Sequence, residues 1–181
     1  MLKSLAGVAL APTALGTVLA AAAEFGSLGQ QSRGATGFFL GGFLGYGAAH
    51  ALGLLRLRRF YVFAHEATHA LAVWLGGGKV YAFVVKAESG HVDLSHSNAF
   101  VALAPYWIPL YTLAVLLAYR VALWLGPPPH ARELFLAGIG ATLAFHLAHT
   151  AASLRDTRQS DLDEAGPVLS LSLIALLNGG L

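Results

Sequence analysis

The segment FAHEATHALAVWLGGGKV, residues 63–80, contains the sequence HEATH at positions 65–69. On an α-helix, side chains four residues apart share one face, so His65 and His69 can each give an imidazole nitrogen to one metal ion. Glu66 lies beside this pair, where a carboxylate accepts a proton from water rather than binding the metal. A catalytic zinc ion takes three protein ligands and a water, whose pKa it lowers to about 7. The spacing therefore predicts a zinc site for amide hydrolysis, with Glu66 as the general base.

The third zinc ligand has four candidates in the sequence. Asp161 and Asp163 occur in RQSDLDEAG, before the last apolar segment, and His146 and His149 lie three residues apart on one face of the preceding one. We favour Asp161, with the other three as alternatives. The competing explanation for the aspartates is a helix cap. For the two histidines it is hydrogen bonding between helices.

The composition of the chain predicts a lipid environment for this site. Of 181 residues, 56% are apolar and only 11% are charged, and the mean hydropathy is +0.64. A soluble domain has about a quarter charged residues. We therefore expect an integral membrane protein whose surface contacts the bilayer. Two histidines and a glutamate in one turn are costly at membrane depth, which favours a functional site over a helix with merely hydrogen-bonded polar groups.

The same composition excludes other classes of protein and site. The net charge of +2 is small and dispersed, and there is no basic stripe of the kind that binds nucleic acid. Cysteine is absent, so disulfides, thiolate zinc ligands and a cysteine nucleophile are excluded. Any metal, here Zn²⁺, must have nitrogen and oxygen ligands.

A membrane-spanning helix needs ~20 apolar residues, which several segments approach. The candidate spans are residues 4–23, 35–55, 60–75, 99–126, 133–154 and the short run 167–180. KVYAFVVK and GHVDLS, joined by AESG, have the β-rich pattern of a hairpin after the HEATH helix. The predicted fold class is an all-α integral membrane protein with five or six transmembrane helices and this small β-hairpin. We expect one domain, residues 1–181, in which residues 1–23 are either an anchor or a cleavable signal.

A zinc hydrolase in lipid also needs a route for water. Irregular backbone is tolerated at membrane depth where it lines a polar cavity. Three features are candidate walls of such a cleft: the glycines at 76–78, the hairpin, and the interruption at Pro105 and Pro109. The hairpin edge is also a candidate for holding an unwound substrate by strand addition.

HEATHALAVWLGGGKV resembles the HExxH helix of the site-2 protease family of intramembrane zinc metalloproteases. SGHV is similar to the family's glycine-containing hairpin, LAPY to its Ala-Gly-Pro segment, and SDL to its later aspartate motif. Thr68 stands where the family usually has glycine, and the aspartate is followed by leucine instead of glycine. The resemblance implies zinc ligation by His65, His69 and Asp161, with Glu66 as the base.

The resemblance further implies an intramembrane zinc endopeptidase that cleaves peptide bonds in or near transmembrane segments of membrane proteins. We expect it in a prokaryotic inner membrane as a multi-pass protein. One alternative is a catalytically silent relative that binds membrane helices as a regulator. Another is a metal-ion transporter, with His65, His69, His146 and His149 lining the ion path. Retention of Glu66 favours the enzyme, because a binding module does not need a base.

Overall fold

The structure is a computed structural model that describes residues 6, 8–17, 19–20, 33–55, 57–155 and 166–179. Within these ranges it contains seven helices and one two-stranded antiparallel sheet. The helices are α1 (Val8–Thr17), α2 (Arg33–Ala51), α3 (Arg58–Leu75), α4 (Ala99–Trp107), α5 (Leu110–Leu125), α6 (Ala131–Arg155) and α7 (Pro167–Gly179). The strands are β1 (Val80–Val85) and β2 (Gly90–Leu94).

The prediction of five or six transmembrane helices is wrong, and the described helices do not support the multi-pass arrangement. Among the described residues, α6 alone is long and apolar enough to cross a membrane, or two spans exist if α4 and α5 form one broken span. Helices α1 and α7 are shorter than the ~20 residues that the hydrocarbon core requires. Helix α3 begins with two arginines and carries the polar HEATH side chains, which lower its mean hydropathy. The many glycines of α2 lower its mean hydropathy in the same way. The description all-α is also wrong, because the hairpin forms a sheet.

The chain divides into two compact units. The first contains α1, α3, the sheet, α4 and α7, and the second contains α2, α5 and α6. The prediction of a single domain stays a prediction, as does that of an anchor or signal at 1–23. Of that N-terminal segment, the described residues are 6, 8–17 and 19–20.

In the first unit, glycines end α3 and start the hairpin. Gly77 has φ +75°, and its N–H bonds to the carbonyl of Trp74 while that of Gly78 bonds to Val73. These bonds form a Schellman motif, which satisfies the last carbonyls of a helix. β1 and β2 then pair antiparallel, from Val80 opposite Leu94 to Val85 opposite Gly90. A core links α3, α4 and the sheet: Ala72, Val73, Val101 and Ala104, packed against Val80, Leu94 and Ile108.

In the second unit, glycines bring α2 and α6 into backbone contact. A Cβ on Gly42 would overlap the carbonyl of Ala137, and one on Gly140 would overlap the carbonyl of Phe39. Close approach through small residues is the usual way in which apolar helices associate in membranes. Helix α5 adds a hydrogen bond from Thr112 to Thr142 of α6, 3.1 Å long.

Candidate metal centre

Helix α3 holds the HEATH sequence on the face that packs against its own unit. Glu66 and His69 are each only 8% exposed. The outer face is apolar and exposed, with Phe60, Phe63, Leu71, Trp74 and Leu75. A helix on an aqueous surface has the reverse pattern, with charged groups outward and large apolar groups inward. The outer face of α3 is therefore suited to contact with lipid or with an apolar partner.

The imidazoles of His65 and His69 converge on one point. Their Nε2 atoms are 3.3 Å apart, and the ring centroids are 4.9 Å apart at an interplanar angle of 79°. Two nitrogens that bind one tetrahedral zinc at about 2.0–2.1 Å are separated by roughly 3.3–3.4 Å. The spacing therefore fits shared ligation. A hydrogen bond between the rings has a similar length, so the partners of the two Nδ1 atoms decide what each Nε2 can do.

Both Nδ1 atoms have oxygen partners. Nδ1 of His69 lies 2.8 Å from the carbonyl oxygen of Val101. Because a carbonyl only accepts, this Nδ1 carries the hydrogen, and Nε2 of the neutral ring presents its lone pair to the shared point. Nδ1 of His65 lies 3.4 Å from the hydroxyl of Tyr61, one turn earlier on α3. Such partners at the outer nitrogen orient histidines that bind metals.

Pro105 explains why the Val101 carbonyl is available to a side chain. Within α4, the N–H of residue 105 would bond to the carbonyl four residues earlier, which belongs to Val101. Proline has no N–H, and its ring crowds that carbonyl. The oxygen is thus left for His69. The proline of LAPY, which the sequence suggested as a cleft wall, orients a candidate metal ligand through the backbone.

Glu66 points to the same cleft, beside β2. A Cβ on Gly90 would lie 2.7 Å from Cγ of Glu66 and 3.0 Å from its Oε1. Only glycine allows the strand to approach the helix this closely. Glu66, His65 and His69 line an open cleft of about 550 Å³ together with hairpin residues. The carboxylate and the point on which the imidazoles converge therefore both face this cleft.

The cleft also contains polar side chains that the sequence analysis did not select: His91, Asp93, His96 and Ser97. His91 and Asp93 alternate with half-buried apolar residues along β2 and are both exposed. A period of two places them on one face of the strand. This alternation of polar and apolar residues was the sequence pattern that could have identified His91 and Asp93. It points to the cleft only once β2 is known to pack against α3, and no local pattern predicts that packing.

The candidates for the third ligand are distributed differently. Asp161 and Asp163 lie outside the described residues. His146 and His149 lie on α6, in the second unit, and neither lines the cleft. Within the part of the chain that the structure describes, no group of three or more His, Asp and Glu side chains is arranged to hold a metal ion. The described residues thus supply two nitrogen ligands, with the carboxylate of Glu66 beside them as the candidate base and not as a third ligand.

Comparisons with protein-family models, curated proteins and solved structures found no match to this chain.

Proposed function

We propose that this protein is a membrane-associated zinc endopeptidase, similar to the site-2 proteases, that hydrolyses peptide bonds in or near membrane segments of other proteins. The observation that carries the proposal is the geometry of the two imidazoles. Their Nε2 atoms are 3.3 Å apart, with Nδ1 of His69 donating to a backbone carbonyl at 2.8 Å. Two nitrogens oriented in this way fit two ligand positions of a zinc ion, and the buried carboxylate of Glu66, in the same helical turn, is close enough to act as the base.

The residues of the chain divide the chemistry among them. When bound, zinc lowers the pKa of a coordinated water and polarises the carbonyl of the scissile bond. His65 and His69 hold the ion, and Val101 and Tyr61 fix the orientation of their rings. Glu66 accepts the proton of the attacking water and passes it to the leaving amine. Glu66 is 8% exposed and lines the same cleft as both imidazoles.

Asp161 is the third ligand in this proposal. Zinc in catalytic sites takes three protein ligands and leaves one position open. A carboxylate joining two histidines would give a common hydrolytic set, as in the His₂Glu proteases. Replacing Asp161 by Ala should release zinc, whereas the same change at Asp163, His146 or His149 should leave this centre occupied.

The proposed substrate class rests on the exposed apolar surface of the unit that contains the cleft. The outer face of α3 exposes large apolar side chains, among them Trp74 at 57% and Leu75 at 80%. On β1, Tyr81 and Phe83 are exposed as well, at 69% and 41%. Contiguous apolar surface of this kind marks membrane or protein contact. An apolar membrane segment bound to such a surface would be held against the same unit that contains Glu66.

The decisive experiment compares Glu66→Gln with wild type on a purified substrate that contains one membrane-spanning segment. We expect the variant to keep its zinc and to lose cleavage by roughly 10²-fold or more, because it has no base. Glu88→Gln is the matched control, since Glu88 is an exposed carboxylate paired only with Arg58 among the ion pairs of the described residues. Equal cleavage by Glu66→Gln and wild type would refute the proposal.

A further inference from the structure

The second unit contains another pair of histidines, on two different helices. The ring of His50, near the end of α2, lies 5.0 Å from the ring of His149 on α6, at an angle of 71°. The corresponding values for His65 and His69 are 4.9 Å and 79°. Rings that share one ion through edge nitrogens have centroids about 5 Å apart. The rings of His50 and His149 therefore match those of His65 and His69 in distance and angle.

Tyr46 adds an oxygen donor to this pair. Its hydroxyl lies 3.3 Å from Nε2 of His149, and its ring stacks on His50 at 5.9 Å. The sequence around it, YGAAH at residues 46–50, has the same pattern as YVFAH at 61–65. In each case a tyrosine stands one turn before a histidine whose ring meets a second histidine.

The surrounding structure holds these groups in place before any ligand binds. The ring of Phe145 packs against that of His149, with 4.6 Å between the ring centroids, and against that of Tyr46, with 5.7 Å between the centroids. Gly42 and Gly140 keep the backbones of α2 and α6 in contact, because no side chain separates them. Pre-organised donors bind a metal without the cost of ordering them.

A buried threonine hydroxyl follows His149 on α6. Oγ1 of Thr150, next to His149 in sequence, is buried and has no hydrogen-bond partner among the described residues. Thr150 itself is 4% exposed, and His146, one turn earlier, is 7% exposed. Buried polar groups nearly always have partners, and water or an ion commonly supplies the missing one.

We propose that His50 and His149, with the hydroxyl of Tyr46 beside them, bind a divalent transition-metal ion of the zinc type. The ion holds α2 and α6 together. It is a second ion, in addition to the one proposed for the HEATH cleft. Imidazole nitrogen suits zinc, and also nickel and copper ions. The proposed role is structural, because the two histidines come from two helices that a shared ion would join.

Metal content per chain tests the proposal. Full-length protein is loaded with ZnCl₂ in detergent, freed of excess metal and analysed by mass spectrometry. We expect wild type to hold about two zinc ions, and His149→Ala and His50→Gln to lose about one each. His69→Ala should also lose one, and the double variant of His69 and His149 both. His130→Asn is the control, because His130 has φ 62°, which asparagine tolerates, and lies in an exposed turn.

A second readout uses stability. Zinc should raise the unfolding midpoint of His69→Ala, and this rise should disappear when His149 is also replaced, because an ion that binds only the folded state stabilises it. Circular dichroism identifies variants that do not fold. If the histidine variants fail to fold, Tyr46→Phe replaces them in the metal assay, because it keeps the rings of His50 and His149. We expect it to bind the second zinc more weakly than wild type.

The outcomes separate the two metal sites. One zinc that is lost in His69→Ala but kept in both His50→Gln and His149→Ala overturns this second site and leaves the proposed function in place. One zinc that is lost in the His50 and His149 variants but kept in His69→Ala supports the second site and overturns the proposed function.

Discussion

The carbonyl oxygen of Val101 accepts a hydrogen bond from Nδ1 of His69 at 2.8 Å, although it lies inside helix α4. The carbonyl is free to accept this bond because Pro105, four residues later, has no N–H to donate to it. A backbone group of one helix thus orients a side chain of another. No polar side chain has to be buried for the purpose, which avoids the cost of desolvating one.

Replacing Pro105 by Ala should separate zinc affinity from stability. The new N–H would bond to the Val101 carbonyl and compete with His69, so we expect zinc affinity to fall roughly 10-fold, the lower range for loss of an orienting partner. The free energy of unfolding should stay equal or rise, since proline inside a helix costs about 3 kcal/mol. Chelator competition and denaturant unfolding measure the two quantities. Pro127→Ala, in an exposed loop, is the control; unchanged affinity in Pro105→Ala would disprove the link.

Tyr61→Phe removes the oxygen partner of the other imidazole. The hydroxyl of Tyr61 lies 3.4 Å from Nδ1 of His65, and its loss should weaken zinc binding by roughly 10-fold to 100-fold. The aromatic ring remains, so the unfolding midpoint should change little. Tyr81→Phe removes a hydroxyl from a tyrosine that is 69% exposed and should leave zinc affinity unchanged. Equal affinities in the two variants would contradict an orienting role for Tyr61.

Gly90→Ala should damage catalysis without releasing zinc. The added Cβ would lie 2.7 Å from Cγ of Glu66 and 2.8 Å from Cγ1 of Val62, so the Glu66 side chain must move. A displacement of about 1 Å in a reacting group can cost 10²-fold in rate. Cleavage of the membrane-segment substrate measures the rate, and metal analysis confirms that zinc is retained. Ser89→Ala, at the adjacent exposed position, should cleave at the wild-type rate; a similar rate in Gly90→Ala would show that Glu66 does not depend on this contact.

The local elements around the site could be predicted from the sequence because each has a strong short-range signal. The HEATH helix was expected at 60–75 and runs over Arg58–Leu75. The glycines at 76–78 end it, and the strands lie within the two segments expected to form a hairpin. Periodicity, glycine and proline determine such features locally.

The number of membrane spans could not be predicted in the same way, because apolar composition does not determine helix length. The segment 99–126 has Arg120 as its one charged residue, yet it is divided into α4 and α5 at Ile108 and Pro109. The contacts between residues far apart in the chain could not be predicted from the sequence either. The bond between His69 and Val101 joins positions 32 residues apart, and neither the Val101 carbonyl nor the effect of Pro105 on it has a signature in the sequence.

The contact between α2 and α6 predicts opposite effects for two glycine-to-alanine changes in the same unit. A Cβ on Gly140 would overlap the carbonyl of Phe39, whereas one on Gly45 meets nothing within 4 Å. We expect Gly140→Ala to lower the free energy of unfolding by about 1–3 kcal/mol, the usual cost of overpacking. Gly45→Ala should raise it by roughly 0.5–1 kcal/mol, because alanine loses less backbone entropy in a helix. Denaturant unfolding in one detergent measures both, and a Gly140→Ala protein as stable as Gly45→Ala would mean that the two helix backbones are not in contact.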